Sequence, residues 1–391
     1  MPGAVRGGGG AGGAAIAPFW LLVLLAAPGQ VATGAFLPGL PATAQAFGVA
    51  VRVAQLAVTA YVAAFAIGQV PAGWLADRVG RRVVAVGGGV VFAGGAWAAV
   101  AAGSLGWLVG ARVVEGMGAG ALLVAGRAVM RDQAEGGALA RSLAGVSAAV
   151  WVLGGVSAVV GGYLVRAWSW RGALVPVGVL GVVIMVASLR LPLGWPRGER
   201  RGYGVVLRSR LFWRHAGVAA AMVGAFYAFL TGAPAVLEGE LGMAPVLLGV
   251  VQLGAVGVFA AVAFGARRLR RPGAIGFGLG VAACVELLAL PGVGLSVAGV
   301  LGGLGLLAAS AGLVMPAALA GAVDPFPEQA GAANGAANLL QTVGAGVASL
   351  LVSVPGRPEL VVPGAMLACV LVALGLEVVG GLAGRGRDAA L

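Results

Sequence analysis

The sequence predicts an all-α membrane protein of 12 transmembrane helices arranged in two six-helix halves. Three observations carry this prediction. Twelve mostly apolar stretches of about 20 or more residues run along the 391-residue chain, each long enough as a helix to cross a hydrocarbon core of roughly 30 Å. Hydrophobic residues make up 60% of the chain and charged residues 10%, a balance foreign to soluble globular chains of this length. Nearly every run of arginine falls in a gap between two apolar stretches. A helix is the structure that crosses lipid with every backbone group satisfied inside one segment.

Taken in order, residues 1–15 are rich in Gly and Ala and read as a flexible tail. Span 1 starts near Ile16 and is too long for a typical signal peptide, so it is expected to be retained. Span 2 starts near Arg52 and ends in an arginine-bearing turn; span 3 follows near Val83. Span 4, near Leu105, carries Gly116, Gly118 and Gly120; span 5, near Ser142, carries Gly154, Gly155, Gly161 and Gly162. Such clusters let helix backbones approach closely in lipid, although with 72 glycines in the chain composition alone accounts for any single one. Span 6 starts near Gly172. The longest polar break follows, 193–213, with Arg197, Arg200, Arg201, Arg208 and Arg210 against Glu199 alone. It reads as a basic cytoplasmic central loop between an N-terminal half, 16–192, and a C-terminal half, 214–384, the layout of many two-half transporters. Spans 7 to 12 start near Arg214, Pro245, Gly273, Leu295, Ala330 and Leu360, and 385–391 read as a tail. Pro327-Glu328 signals the start of span 11, since Pro suits a first helical turn. Glu238 and Glu240 follow span 7 and are expected in an outer loop. The basic turn after span 2 recurs after span 8 as Arg267, Arg268, Arg270 and Arg271, without an acid.

Orientation follows from the arginines. With the N-terminus inside, inner loops and termini hold 19 of them and outer loops hold Arg52, Arg166, Arg171 and Arg357. That bias places both termini in the cytoplasm. Trp20, Trp107, Trp168, Trp170, Trp195 and Trp213 lie at span ends, where indole favours the interface. The net charge of +12 is distributed over short topogenic loops rather than one soluble face, which excludes nucleic acid as a partner. All 25 basic residues are Arg, a mark of a GC-rich genome rather than of chemistry. His215 is the lone histidine, and Cys284 and Cys369 lie inside spans. The loops are short and lack His and Cys, so neither a metal site, a cofactor site nor an enzyme is expected. A monomer is expected.

The most specific motif is Gly73-Trp74-Leu75-Ala76-Asp77-Arg78-Val79-Gly80-Arg81-Arg82, between spans 2 and 3. Gly73 permits close helix contact, Gly80 makes the turn, and Arg81 and Arg82 hold the loop on the inner side. The string resembles motif A of the major facilitator superfamily. That resemblance implies a cytoplasmic gate in which Asp77 meets the positive N-terminal end of span 11. Arg112, about 10 Å into span 4 at 1.5 Å per residue, lies in a string that resembles motif B of the same superfamily, Leu108 to Ala119. An ion at that depth marks a functional site and faces the bundle interior. Glu115 follows at i+3 on the same face. The arginine favours the ionised acid and burial opposes it, so the pair can switch protonation with conformation.

Further strings narrow the likeness: Gly34-Ala35-Phe36-Leu37-Pro38-Gly39-Leu40-Pro41 in span 1, Gln55 to Tyr61 in span 2, Arg127 to Asp132 after span 4, Ala225 to Pro234 in span 7, and Gly312 to Pro316 in span 10. Together they look like the Bcr/CflA drug:proton antiporters over residues 16–384. The chain departs from that pattern at three places. Gly34 stands where the family has an acid, Ala158-Val159-Val160-Gly161-Gly162 lacks the proline of motif C, and Glu115 replaces the usual amide of motif B. The resemblance implies proton-coupled efflux of amphipathic small molecules from the bacterial cytoplasmic (inner) membrane. With no acid in span 1, the proton-coupling candidates are the chain's own intramembrane ions, Arg112 with Glu115, and then Glu286. Few acids line the spans, which favours neutral, phenicol-like substrates over cations. Candidate cavity residues are Gln30, Phe36, Tyr61, Tyr227, Gln252, Asn334, Asn338 and Gln341, each of which taken singly is more simply an interhelical hydrogen bond. The alternative is a proton-linked sugar or metabolite exporter or importer of the same fold.

Overall fold

The computed structural model describes residues 17–133, 136–192, 203–266, 269, 272–326 and 329–388. Among them, 11 helices are long and apolar enough to cross a membrane, and a bent pair, Phe19–Ala26 with Pro28–Phe47, makes up to 12. The bend is 52°. Pro28 lacks the N–H that would continue the ladder, and its ring presses on the preceding turn. A 3₁₀ turn at Leu37–Gly39 follows within the same span, where Pro38 again interrupts the bonding.

The remaining spans are Leu56–Val79, Arg81–Val100, Leu105–Gln133, Gly136–Ala167, Val175–Ser188, Arg210–Ala233, Pro245–Gly265, Pro272–Val293, Val297–Val323, Ala330–Val352 and Pro358–Asp388. The turn between spans 2 and 3 is a single residue, Gly80, at φ +96°, a conformation that favours glycine. Span 5 starts at Gly136, six residues before the apolar edge. Span 7 starts at Arg210 because Ser209 caps it, its hydroxyl accepting from the Phe212 amide at 3.3 Å. Residues 193–202 of the expected central loop lie outside the described residues; within the rest of it a short helix, Tyr203–Arg208, packs on span 11. The last helix runs on to Asp388, into the segment read as a tail.

Glu238 and Glu240 are not in a loop. Span 7 continues past Ala233 as a π-helix, Pro234–Glu240, and carries both. Pro234 has no N–H to offer the carbonyl four residues back, and the wider i→i+5 pattern lets the helix proceed around it.

Within the first half, span 4 packs against spans 2 and 3, span 6 against span 3, and span 5 against span 1; in the second, span 7 packs against spans 10, 11 and 12, and span 10 against spans 8 and 9. The halves meet along two seams, span 2 with span 11 and span 5 with span 8. Adding six to the span number turns one seam into the other, as expected of a duplicated unit. The glycines of span 4 answer to packing. A Cβ on Gly116 would come within 2.4 Å of the Tyr61 carbonyl oxygen, and one on Gly118 within 2.3 Å of the Phe92 nitrogen. Span 4 is thus held backbone to backbone between spans 2 and 3, and this close approach places Arg112 against span 2.

Candidate functional site

Arg112 and Glu115 are both 0% exposed. The Arg112 Nη1 donates to Glu115 Oε1 and Oε2, each at 2.9 Å. Nη2 donates to the Ala32 carbonyl of span 1 at 3.4 Å, and Nε has no partner among the described residues. Two aromatic faces complete the enclosure. The guanidinium carbon lies 4.1 Å from the centre of the Tyr61 ring and 5.0 Å from that of Phe36. Both rings offer the negative face of a π-system to the cation. Tyr61 is itself anchored, its hydroxyl donating to the Pro28 carbonyl at 2.9 Å, and it stacks parallel on Phe65. The proline that bends span 1 therefore also supplies the carbonyl that orients the ring over Arg112. Spans 1, 2 and 4 each contribute to the enclosure, so a shift of any one of them reaches the ion pair.

Gly34 explains itself in the same region. A Cβ there would lie 2.4 Å from the Gly154 carbonyl oxygen and 2.5 Å from the Ser157 hydroxyl. Spans 1 and 5 touch at this point, and no carboxylate fits between them.

Beside it, between the two halves, is a pocket lined by Gln30, Trp151, Phe226, Leu230, Gln252 and Val256, with Gly34, Gly154 and Gly155 as its flat wall. Trp151 and Phe226 meet edge to face, 5.6 Å between centres. The Tyr227 side chain lies near that of Gln30. Of the candidate cavity residues, the structure thus gathers Gln30, Tyr227 and Gln252 at one place and sets Phe36 and Tyr61 on Arg112. Asn338 bonds back to Asn334 in its own helix at 2.8 Å, and Gln341 to the Ala337 carbonyl at 3.4 Å; both are half-buried. Glu286 stands apart. It lies on span 9, whose main neighbours are spans 10 and 12, with a carboxylate oxygen 3.0 Å from where a Cβ on Gly302 would sit.

In the motif A turn, Arg81 is 5% exposed rather than on the loop surface. Its Nε donates to Asp132 Oδ2 at 2.9 Å and its Nη1 to the Ala76 carbonyl at 2.7 Å, tying span 3 to the ends of spans 4 and 2. Arg78 stacks on Trp74 at 3.8 Å and Arg82 is half-buried; Gly73 does not make the close helix contact expected of it, since a Cβ there would lie 3.9 Å from Val124 of span 4, an ordinary distance. The Asp77 side chain and Pro327-Glu328 lie outside the described residues, as do Arg267, Arg268, Arg270 and Arg271.

Contacts that single residues did not announce cross the span 2–span 11 seam. Thr59 Oγ1 lies 3.0 Å from Ser349 Oγ, and Gln69 Nε2 donates to Thr342 Oγ1 at 3.3 Å. Gln55 Nε2 donates to the Thr231 carbonyl of span 7 at 2.8 Å. The one available signal was a polar side chain inside an apolar span.

The family described as Major Facilitator Superfamily matches residues 9–349. A chloramphenicol resistance protein of Pseudomonas aeruginosa is 28% identical over 58% of this chain and 54% of its own. That match, like those to uncharacterized transporters of two Rickettsia species, spans less than two thirds of the relative's length. Multidrug resistance protein D of Escherichia coli is 28% identical over 86% of this chain and 88% of its own. Among solved structures, an inward-facing bacterial homolog of the human lysosomal transporter Spinster aligns with a TM-score of 0.72 over 94% of this chain and 96% of its own, at 15% identity. A D-xylose–proton symporter aligns at 0.67, also at 15% identity, over 91% and 96%. Likeness at that identity speaks for the fold alone.

Proposed function

The chain belongs to the major facilitator superfamily, and we propose that this multi-pass membrane transporter exports neutral amphipathic small molecules in exchange for protons. The halves rock about the 2–11 and 5–8 seams and open the site between them to one side at a time. The observation that carries the reading is the sealed Arg112–Glu115 pair of span 4, an ion pair with no exposure, enclosed by the Phe36 ring of span 1 and the Tyr61 ring of span 2; span 1 also walls the pocket of aromatic and amide groups between the halves. A buried pair of this kind is a weak source of stability, which leaves a role in coupling. With no acid possible at position 34, Glu115 takes the proton. Opening to the outside hydrates the pair and lets Glu115 protonate; closure of Phe36 and Tyr61 back onto Arg112 favours release to the cytoplasm. The pocket offers no carboxylate to a cation, which favours neutral substrates. The names of the relatives support drug export as the class. On this reading the chain works as a monomer in the bacterial cytoplasmic membrane with both termini inside, which the excess of arginine in the inner loops supports.

The test is chloramphenicol accumulation in everted vesicles, with proton flux followed in parallel. The parent protein is expected to accumulate drug against its gradient and to stop when the pH gradient is collapsed. Glu115→Gln is expected to retain downhill exchange and lose uphill transport. Uphill transport by that variant with an unchanged pH dependence would overturn the coupling role, and flux in the opposite direction would favour an importer.

A further inference from the structure

Gln252 is 5% exposed, and its Nε2 has no hydrogen-bond partner among the described residues. The other buried side-chain amides on the spans are engaged: Gln55 Nε2 donates to the Thr231 carbonyl at 2.8 Å, and Gln69 Nε2 to the Phe65 carbonyl at 3.2 Å. A buried donor left without an acceptor carries its full desolvation cost, so native structures seldom leave one without a reason. Gln252 sits in the wall of the pocket between the halves. Opposite it stand the Trp151–Phe226 edge-to-face pair and the Gly154-Gly155 backbone, with Leu230 and Val256 completing an apolar slot. Among the described residues, no acid or base lines the slot. An apolar cleft with one or two placed polar groups is the usual form of a small-molecule site. Here the placed group is a primary amide whose N–H is the unpartnered donor, and the rings beside it fit an aromatic face.

We propose that Gln252 sets substrate choice: its amide N–H donates to a carbonyl or nitro oxygen of a neutral aromatic molecule whose ring packs against Trp151 and Phe226. This rests on the export reading above and deepens it by naming the chemistry recognised. Molecules of the same shape without an acceptor leave the donor unpaired and bind more weakly. Cations find no counter-charge in the slot.

A matched pair of neutral probes tests this, 4-acetylbiphenyl and 4-ethylbiphenyl, which differ by a carbonyl in place of a methylene. Affinities are read from the ligand-dependent rise in Tm of the full-length protein in nanodiscs. The parent protein is expected to bind the acetyl compound about tenfold more tightly. Gln252→Leu and the volume-conserving Gln252→Met are expected to erase that preference while binding the ethyl compound at least as well as the parent does. Equal binding of both probes by the parent, as when a trapped water holds the amide, overturns the proposal. So does binding of neither, or a preference that survives in both variants. The parent measurement stands even where a variant fails to fold. The binding assay needs no proton gradient, so failure in vesicles with the probe preference intact refutes export and not the recognition chemistry.

Discussion

A double-mutant cycle on Arg112 and Glu115 separates an ion pair kept for function from one kept for stability. Glu115→Leu leaves the guanidinium with one long bond to the Ala32 carbonyl at 3.4 Å and the faces of Tyr61 and Phe36. Arg112→Met leaves a carboxylate that has lost both of its 2.9 Å donor contacts and gains no ring face in return. Removing one partner of a buried pair costs about 3–5 kcal/mol, whereas replacing both by apolar groups of similar volume is neutral or stabilising. The retained ring contacts, worth up to about 2 kcal/mol, put Glu115→Leu near the lower end of that range and Arg112→Met near the upper. The double variant Arg112→Met/Glu115→Leu is expected within about 1 kcal/mol of the parent or above it, so the two effects are far from additive. The assay is thermal unfolding in nanodiscs, read as the rank order of midpoints, with transport measured on the same samples. A stable double variant that no longer drives uphill transport is the expected outcome. Additive singles, or a double variant less stable than either single, would refute the reasoning.

Three further outcomes are expected. Gly34→Asp, which restores the acid of the resembling family, is expected to cost more than about 3 kcal/mol through overpacking against Gly154 and Ser157 and to accumulate poorly in the membrane; a well-folded variant would show that spans 1 and 5 do not touch there. Asp77→Asn is expected to abolish or strongly reduce transport at normal membrane levels, and normal transport would end the gate reading. In a Cys284→Ala/Cys369→Ala background, a cysteine added after Arg385 is expected to react only with reagents that enter the cytoplasm; labelling from outside intact cells would reverse the orientation.

The spans were legible because bilayer thickness imposes a one-dimensional rule, about 20 apolar residues per crossing, and a single chain displays it. Arg112 and Glu115 were legible as neighbours because i and i+3 share a helix face whatever surrounds them. The rings over Arg112 were not, because Phe36 and Tyr61 belong to other spans and nothing local says which helices touch. Their side chains read equally well as cavity lining. The same holds for Thr59 and Ser349, which meet across 290 positions. At Gly34 the missing acid was visible, but not its cause, since a carbonyl 120 residues away occupies the space. Glu238 and Glu240 were misread because charge after an apolar run looks like a loop, and hydropathy does not register that a helix passes a proline by widening its turns.

That widened stretch, Pro234–Glu240, makes one short segment tolerant of a one-residue loss. A π-helical residue turns the chain by less than the roughly 100° of an α-helical one, so deleting a single residue there and closing the stretch to ordinary α-helix leaves whatever follows in nearly the same register. The surface that Pro234–Glu240 presents to Leu40–Phe47 and Val51–Ala54 would keep most of its facing side chains. The same deletion within Arg210–Ala233 would rotate everything beyond it by about 100°. Among natural variants of this chain, one-residue gaps should therefore fall in Pro234–Glu240 rather than in the α-helix before it.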